Sequence, residues 1–279
     1  MMSCGACERE LPEDAYSGEQ RGRRQSIRRC EEYVAGGNQL VLMKKGRERS
    51  EEDECPICNL PLPLDEKKQS SFQVCCMKEL CNGCILGAHK RGMTDCPFCR
   101  SPTPTEDSQG LAMIQKRADV GDPMAIYYLG GKYHLGECGL KKDLTRYVER
   151  HERAAELGLK DAHFSLGVLY YEGTEVEKDT AKAIRYYEVA AMRGHVLARH
   201  NLGVFEHRAG NYDLELQHRI IAAKLGAEWS LNRVKDLFMQ GLATKAEYAE
   251  ALRGYQGAVE EMRSPERDEA ERRLNSRRG

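Results

Sequence analysis

Charge of one sign is missing from this 279-residue sequence: 43 lysines and arginines stand against 44 acidic side chains. With no global field to draw nucleic acid or an anionic membrane, either partner would need a local patch. No apolar run approaches the roughly 18 residues of a membrane span, and lipidation signals are missing, so no membrane partner is expected. The opening MMSCGACERELPED has no apolar h-region, so a reducing, intracellular compartment is expected, cytoplasmic or nuclear. Catalytic signatures are lacking too. There is no Gly-rich loop ending in Gly-Lys-Ser/Thr, no G-x-S-x-G and no H-E-x-x-H, which argues against a catalytic centre of the chain's own. Aromatic residues are sparse, and none interleaves with Arg21, Arg23, Arg24, Arg28 and Arg29 as a single-strand platform would require. The first fifty residues hold ten basic against eight acidic side chains, so these arginines read as a solvated helix face. Nucleic-acid contact is the weaker alternative.

Cysteine, by contrast, is abundant and concentrated. Of twelve, eight fall between Cys55 and Arg100, in CPIC, CCMKELCNGC and CPFCR. Three Cys-x2-Cys knuckles (Cys55/Cys58, Cys81/Cys84, Cys96/Cys99) and the adjacent pair Cys75/Cys76 supply two sets of four sulfur ligands for tetrahedral zinc. A disulfide between cysteines three apart would close a cramped loop, so chelation is expected in place of bridging. With four vertices filled, no position is left for water, and each zinc should be structural.

The order of these pairs resembles a RING finger, in its all-cysteine variant, because Lys78 stands where most members have a ligand histidine. The resemblance implies a cross-brace in which Cys55, Cys58, Cys81 and Cys84 hold one zinc and Cys75, Cys76, Cys96 and Cys99 the other. His89 is a reserve ligand or simply a helix residue. The resemblance also implies recruitment of a ubiquitin-conjugating enzyme: Ile57 and Pro97 match the family's apolar docking residues on the two zinc loops, and Arg100 matches its bridging arginine. Ala88 stands where active members usually place a large side chain, and losing one buried anchor at a small interface costs about 2 kcal/mol.

Upstream, residues 1–50 carry Cys4, Cys7 and Cys30, with Tyr33 where a fourth ligand would stand. The segment resembles small N-terminal zinc modules, and two readings stay open: a third metal site or a degenerate knuckle. The zinc finger is assigned to 51–100, and SPTPTEDSQG (101–110) reads as an extended linker.

From 111 to 262 the chain repeats itself. RADVGDPMA, AAELGLKDA, AAMRGHVLA and AAKLGAEWS place glycines at 121, 158, 194 and 226, spaced by 37, 36 and 32 residues. Leu129-Gly130, Leu166-Gly167 and Leu202-Gly203 keep step with them. A period in the thirties without strand signals predicts stacked helix pairs, an α-solenoid. Asp122-Pro123 predicts a helix start and Thr244 with Glu247 a capping box. Ala pairs at 154/155, 190/191 and 222/223 recur where helices must approach closely, and most of the tyrosines at 127, 128, 133, 170, 171, 186 and 187 are expected to pack in the core. The stretch LGVLYYEGTEVEKDTAKAIRYYEVAAMRGH resembles the Sel-1-like repeat, a relative of the tetratricopeptide repeat. The charged end, 263–279, is expected to be disordered.

The fold expected is therefore mainly α, a small zinc cross-brace followed by helical repeats. Two functions follow from the resemblances. One is a RING-type ubiquitin ligase whose repeats hold a protein substrate or scaffold partner; the other is a non-catalytic zinc-binding scaffold.

Overall fold

A computed structural model of the chain describes residues 1–3, 10–16, 18–21, 53–64 and 69–276. Most of them are helical. Two compact units are distinguished: Arg49–Leu166 with Arg253–Gly279, and Met1–Glu48 with Gly167–Leu252. Cys4, Cys7, Cys30 and the arginines from Arg23 to Arg29 lie outside the described residues, and with them the expected third metal site.

In the first unit the cysteine-rich segment is a small α+β element. Strands β1 (Ser70–Gln73) and β2 (Lys78–Cys81) form an antiparallel hairpin in which Ser70 faces Cys81 and Gln73 faces Lys78. The hairpin runs directly into helix α1 (Asn82–Lys90), because Cys81 is at once the last strand residue and the helix N-cap, its sulfur accepting from the Cys84 N–H at 3.4 Å. The buried cluster here is mostly sulfur, Cys55, Cys76, Cys81 and Cys96 with Leu62 and Leu80, and Met77 and Ala88 are further buried apolar residues of the segment. So few apolar side chains make a small core, the kind that in domains of this size is usually supplemented by a metal or disulfides.

Helices α2 (Asp107–Asp119), α3 (Pro123–Leu135) and α4 (Leu144–Glu156) follow, each packed on the next. Asp122 caps α3 by accepting from the Met124 and Ala125 N–H groups, with Pro123 at the first helical position as expected. Three contacts tie the cysteine-rich element to α2, to α3 and to Lys160 at the start of the helix after α4. Phe72 stacks on Tyr128 with ring centroids 3.9 Å apart, Arg117 donates through Nε to the Cys75 carbonyl at 3.0 Å, and the Lys160 ammonium pairs with the Asp53 carboxylate.

Two expectations are corrected here. The linker is shorter than 101–110, since α2 begins at Asp107 and the Ser101 carbonyl already accepts from the Cys96 N–H. The tail is ordered: Pro265–Asn275 is a helix, although its composition reads as solvated charge. Its signals are local and complete, with Ser264 as N-cap, Pro265 at the first helical position, Glu266 and Asp268 in the first turn, and Arg272 and Arg273 in the last.

In the second unit, α6 (Thr180–Met192), α7 (Val196–Arg208), α8 (Tyr212–Lys224) and α9 (Glu228–Met239) pack in succession, after α5 (Lys160–Glu172), whose end lies in this unit. Ala190, Ala191, Ala222 and Ala223 are fully buried, as are Ala154 and Ala155 in the first unit. Each Leu-Gly step sits against the next helix: a Cβ at Gly167 would lie 2.7 Å from the Tyr187 ring, so only hydrogen fits. Helix α10 (Lys245–Glu261) opens with the expected capping box, Thr244 Oγ1 accepting from the Glu247 N–H at 3.2 Å and Glu247 accepting back from the Thr244 N–H at 2.7 Å. The tyrosines divide: Tyr133 and Tyr187 are buried, while the other five are half-buried. Tyr170 stacks on Tyr186 and carries the Lys182 ammonium 3.8 Å from its ring centre. The last helix is α11 (Pro265–Asn275).

Candidate metal centre

Two knuckles bracket the site, and they are built alike. In Cys55-Pro56-Ile57-Cys58-Asn59-Leu60, the Asn59 N–H donates to the Cys55 carbonyl at 2.8 Å and the Cys55 N–H to the Leu60 carbonyl at 3.0 Å. In Cys96-Pro97-Phe98-Cys99-Arg100-Ser101, the Arg100 N–H donates to the Cys96 carbonyl and the Cys96 N–H to the Ser101 carbonyl, each at 3.0 Å. Asn59 and Arg100 both adopt left-handed backbone, with φ of 54° and 64°. That turn is what lets two cysteines three apart aim their sulfurs at one point.

Between the knuckles, the β1–β2 turn carries Cys75 and Cys76, and the β2–α1 junction carries Cys81 and Cys84. The chain interleaves them. The sulfurs of Cys55, Cys58, Cys81 and Cys84 lie within 4.8 Å of one another, and so do those of Cys75, Cys76, Cys96 and Cys99. Adjacent Cys75 and Cys76 both belong to the second set, and His89, exposed on α1, belongs to neither.

The spacing suits a metal. A tetrahedral ion with bonds of about 2.3 Å to sulfur sets its ligands about 3.8 Å apart. Cys58 and Cys81 are separated by 3.8 Å, Cys76 and Cys96 by 3.9 Å, and Cys75 and Cys99 by 3.4 Å, while a disulfide needs about 2.05 Å. All eight cysteines are free thiols. Without a cation the thiolates oppose one another. Burial, with the charge of Cys96 adding to it, pushes Cys76 up to about 12. Burial likewise pushes Cys84 up to about 12, against the hydrogen bond with Cys81 and with repulsion from Cys55 and Cys58 adding to it. A divalent ion would compensate that charge in both sets, and four sulfurs in tetrahedral array suit zinc.

The residues matched to docking roles fall on the knuckles. Ile57 is 40% exposed, Pro97 is half-buried, and Arg100 is exposed with Nη1 3.4 Å from Met93 Sδ. Sequence matching had overlooked Phe98. It occupies the position in its knuckle that Ile57 occupies in the other, and it is 42% exposed. The signal was available in the sequence, since CPIC and CPFC align residue for residue. Ala88, on α1, is only 1% exposed and offers no anchor.

One further residue bears on the first set. Arg267, from α11, donates through Nη2 to Cys58 Sγ at 3.5 Å and to the Leu60 carbonyl at 3.1 Å.

Comparison with known proteins places part of this on firm ground. The family model "Sel1 repeat" matches residues 123–159 and 160–195, so the chain carries Sel1 repeats there. The Arabidopsis thaliana protein "ERAD-associated E3 ubiquitin-protein ligase component HRD3B" is 27% identical over 114 residues, 40% of this chain and 18% of that protein. "E3 ubiquitin-protein ligase RNF182" of Ailuropoda melanoleuca is 25% identical over 166 residues, 56% of this chain and 64% of that one. The chain thus spans less than two thirds of either relative. Among solved structures, a Sel1 repeat protein from Oxalobacter formigenes is 30% identical, covers 46% of this chain with 98% of its own, and has a TM-score of 0.43. Among the described residues no helix is long and apolar enough to cross a membrane.

Proposed function

We propose that this chain is a RING-type ubiquitin ligase, in which two zinc ions shape a docking surface for a ubiquitin-conjugating enzyme and the Sel1 repeats hold a protein partner. The observation that carries the reading is the matched pair of knuckles. Each lifts one large apolar side chain, Ile57 or Phe98, out of a sulfur core into solvent, at 40% and 42% exposure, where packing alone would have buried it. Exposed apolar groups on rigid loops are what a protein-docking surface needs. Arg100, next to the second knuckle, would bridge enzyme and ubiquitin with its guanidinium fork. The ligase names of the two relatives agree with this. The chain would do no bond chemistry itself; zinc supplies only the frame, and the residues on it orient the donor.

A second reading rests on Ala88. Because that helix position is small and buried, the groove lacks its usual third anchor, and a zinc-binding scaffold without transfer activity would keep every other feature.

Self-ubiquitination with a panel of purified conjugating enzymes separates the two. The ligase reading expects activity with at least one enzyme, reduced on the order of tenfold or more by Ile57→Ala, Phe98→Ala or Arg100→Ala, as losing an anchor of about 2 kcal/mol requires. Activity untouched by all three substitutions would remove the docking surface. No activity in a chain that holds two zincs would favour the scaffold. Native mass spectrometry supplies the metal count, and a third zinc would assign a site to Cys4, Cys7 and Cys30.

A further inference from the structure

The last helix does something that neither resemblance calls for. Helix α11 lies against α1 so closely that a Cβ on Gly83 would sit 2.8 Å from the Arg267 backbone nitrogen and 2.9 Å from the Glu266 carbonyl carbon. Gly83 lies between two cysteines of the first set, Cys81 and Cys84. An ion pair of Lys90 with Glu269, at 2.5 Å, closes the far end of the same contact. From this position Arg267 sends its side chain inward until it is 7% exposed. Its Nη1 donates to the Pro61 carbonyl at 2.6 Å and the Met262 carbonyl at 2.7 Å; its Nη2 reaches the Leu60 carbonyl and the Cys58 sulfur.

An arginine is costly to bury and cannot shed its proton, so the site must supply negative charge. Three neutral carbonyls do not. Four thiolates around one divalent ion carry a net charge of −2, and one of those sulfurs is the remaining partner. We infer that Arg267 is a positioning residue of the first metal site, a non-ligand partner that offsets its excess charge and pins the loop carrying Ile57, so that the metal-binding domain includes a helix whose arginine lies 207 residues beyond Leu60 along the chain. The second set has a different neighbour: Arg117 donates to the carbonyl of Cys75 and pairs with the Asp122 carboxylate, and so already has its own counter-charge.

The inference rests on the metal reading of the first cysteine set and is independent of any conjugating enzyme. The test is chelator-driven zinc release from the full chain, followed with a chromogenic chelator, with N-ethylmaleimide labelling mapped by peptide mass spectrometry to show which cysteines become free. Three variants are compared with the parent. Arg267→Met keeps the bulk and removes the charge. Arg267→Lys restores the charge without the fork. Gly83→Ala leaves Arg267 intact and improves α1 as a helix, yet its methyl group displaces α11. Outer partners of metal ligands commonly alter affinity by about 10- to 100-fold.

The expected result is release from one of two sites accelerated at least about tenfold in Arg267→Met and in Gly83→Ala, with Cys58 and Cys84 labelled first and Cys75 and Cys99 protected as in the parent. Arg267→Lys should recover part of the loss, which a role in packing alone would not predict. Circular dichroism of the whole chain checks that each variant keeps its helices, which Trp229, in the other unit, would not report. Parent-like release from both sites in Arg267→Met and Gly83→Ala would overturn the inference, as would equal acceleration at both sites. A parent chain that binds no zinc would instead sink the metal reading beneath it.

Discussion

The zinc element and the helical repeats are both made by duplication, yet they are held in opposite ways. The element repeats a six-residue knuckle whose two copies share their hydrogen bonds and their left-handed turn, and its interior is largely thiol. The repeats duplicate a helix pair, and their interior is Ala, Leu and buried aromatic rings with a Gly wherever backbones close in. In the first case, on the metal reading proposed above, an ion would dictate the geometry and leave the sequence between the ligands free to present Ile57 or Phe98. In the second, geometry is dictated by contact, so nearly every inward position is spoken for.

The sharpest way to break that contrast is to remove the ion. If the two cysteine sets hold zinc as proposed, the metal contributes on the order of 10 kcal/mol to folding the small domain, whereas α6 to α9 of the second unit are held by their own buried side chains. Trp229 is the sole tryptophan and lies in α9, so its fluorescence reports the second unit. Excess chelator should expose 53–101 to proteolysis while the Trp229 melting curve stays where it was. A shift of several degrees in that curve would show that the two regions are not separately supported.

How much of this could be read from the sequence follows the same division. Ligand sets and repeat register are encoded by spacing, which survives without any knowledge of the fold; the two groups of four sulfurs and the buried Ala pairs needed nothing more. Phe98 was legible by aligning one knuckle on the other. Helix α11 was half-legible: Ser264, Pro265 and the graded charges announce a helix, but charge-rich composition argues for solvation, and nothing local says that Gly83 would receive it. Arg267 was not legible at all. Its partners are carbonyls and one sulfur more than 200 residues earlier, and a backbone carbonyl leaves no trace in side-chain patterning. The tyrosines show a milder failure, since helical spacing marks a face but not how deeply it is buried.

Acid should strain both regions, for opposite reasons. Zinc sites fail because their thiolates take up protons once the ion leaves. In the second unit two histidines refuse protons, as His151 does in α4 of the first, where burial holds it down to about 4. Burial, with Arg219 beside it, holds His200 down to about 4, and its Nδ1 accepts from Arg219 Nη1 at 2.5 Å. Burial next to Arg199 and Arg219 holds His218 at about 3. In the unfolded chain both would titrate near 6.5, so below that value the unfolded state binds more protons and stability falls as pH falls. The loss is about 1.4 kcal/mol per pH unit for each histidine, until the folded values are reached. Glu215 does not contribute in this window: despite burial, its hydrogen bond from Arg233 holds it below the usual carboxylate range, so its stabilisation is lost only at still lower pH. Trp229 melts at pH 7.5 and pH 5 should therefore differ clearly, and His218→Gln should flatten the dependence. Curves that coincide at the two pH values would remove the buried neutral histidines from the account.

The smallest effect asks whether contact really dictates the repeats. Gly131 in α3 has open space where a Cβ would go, so Gly131→Ala should behave as any helix glycine does and stabilise by about 0.5–1 kcal/mol. Gly167 in α5 offers the same gain in propensity, but its methyl group would press on the ring of Tyr187, which is 1% exposed and has nowhere to move. Overpacking of that kind costs about 1–3 kcal/mol, so the same chemical change should carry the opposite sign at the two positions. Neither should alter bound zinc. If both substitutions stabilise in thermal melts, the repeats accommodate volume as loosely as the knuckles accommodate Ile57 and Phe98, and packing density is no longer what separates the two kinds of duplication. If only Gly167→Ala destabilises, the Leu-Gly step is a steric requirement of the repeat, because helix propensity alone predicts no difference between the two sites.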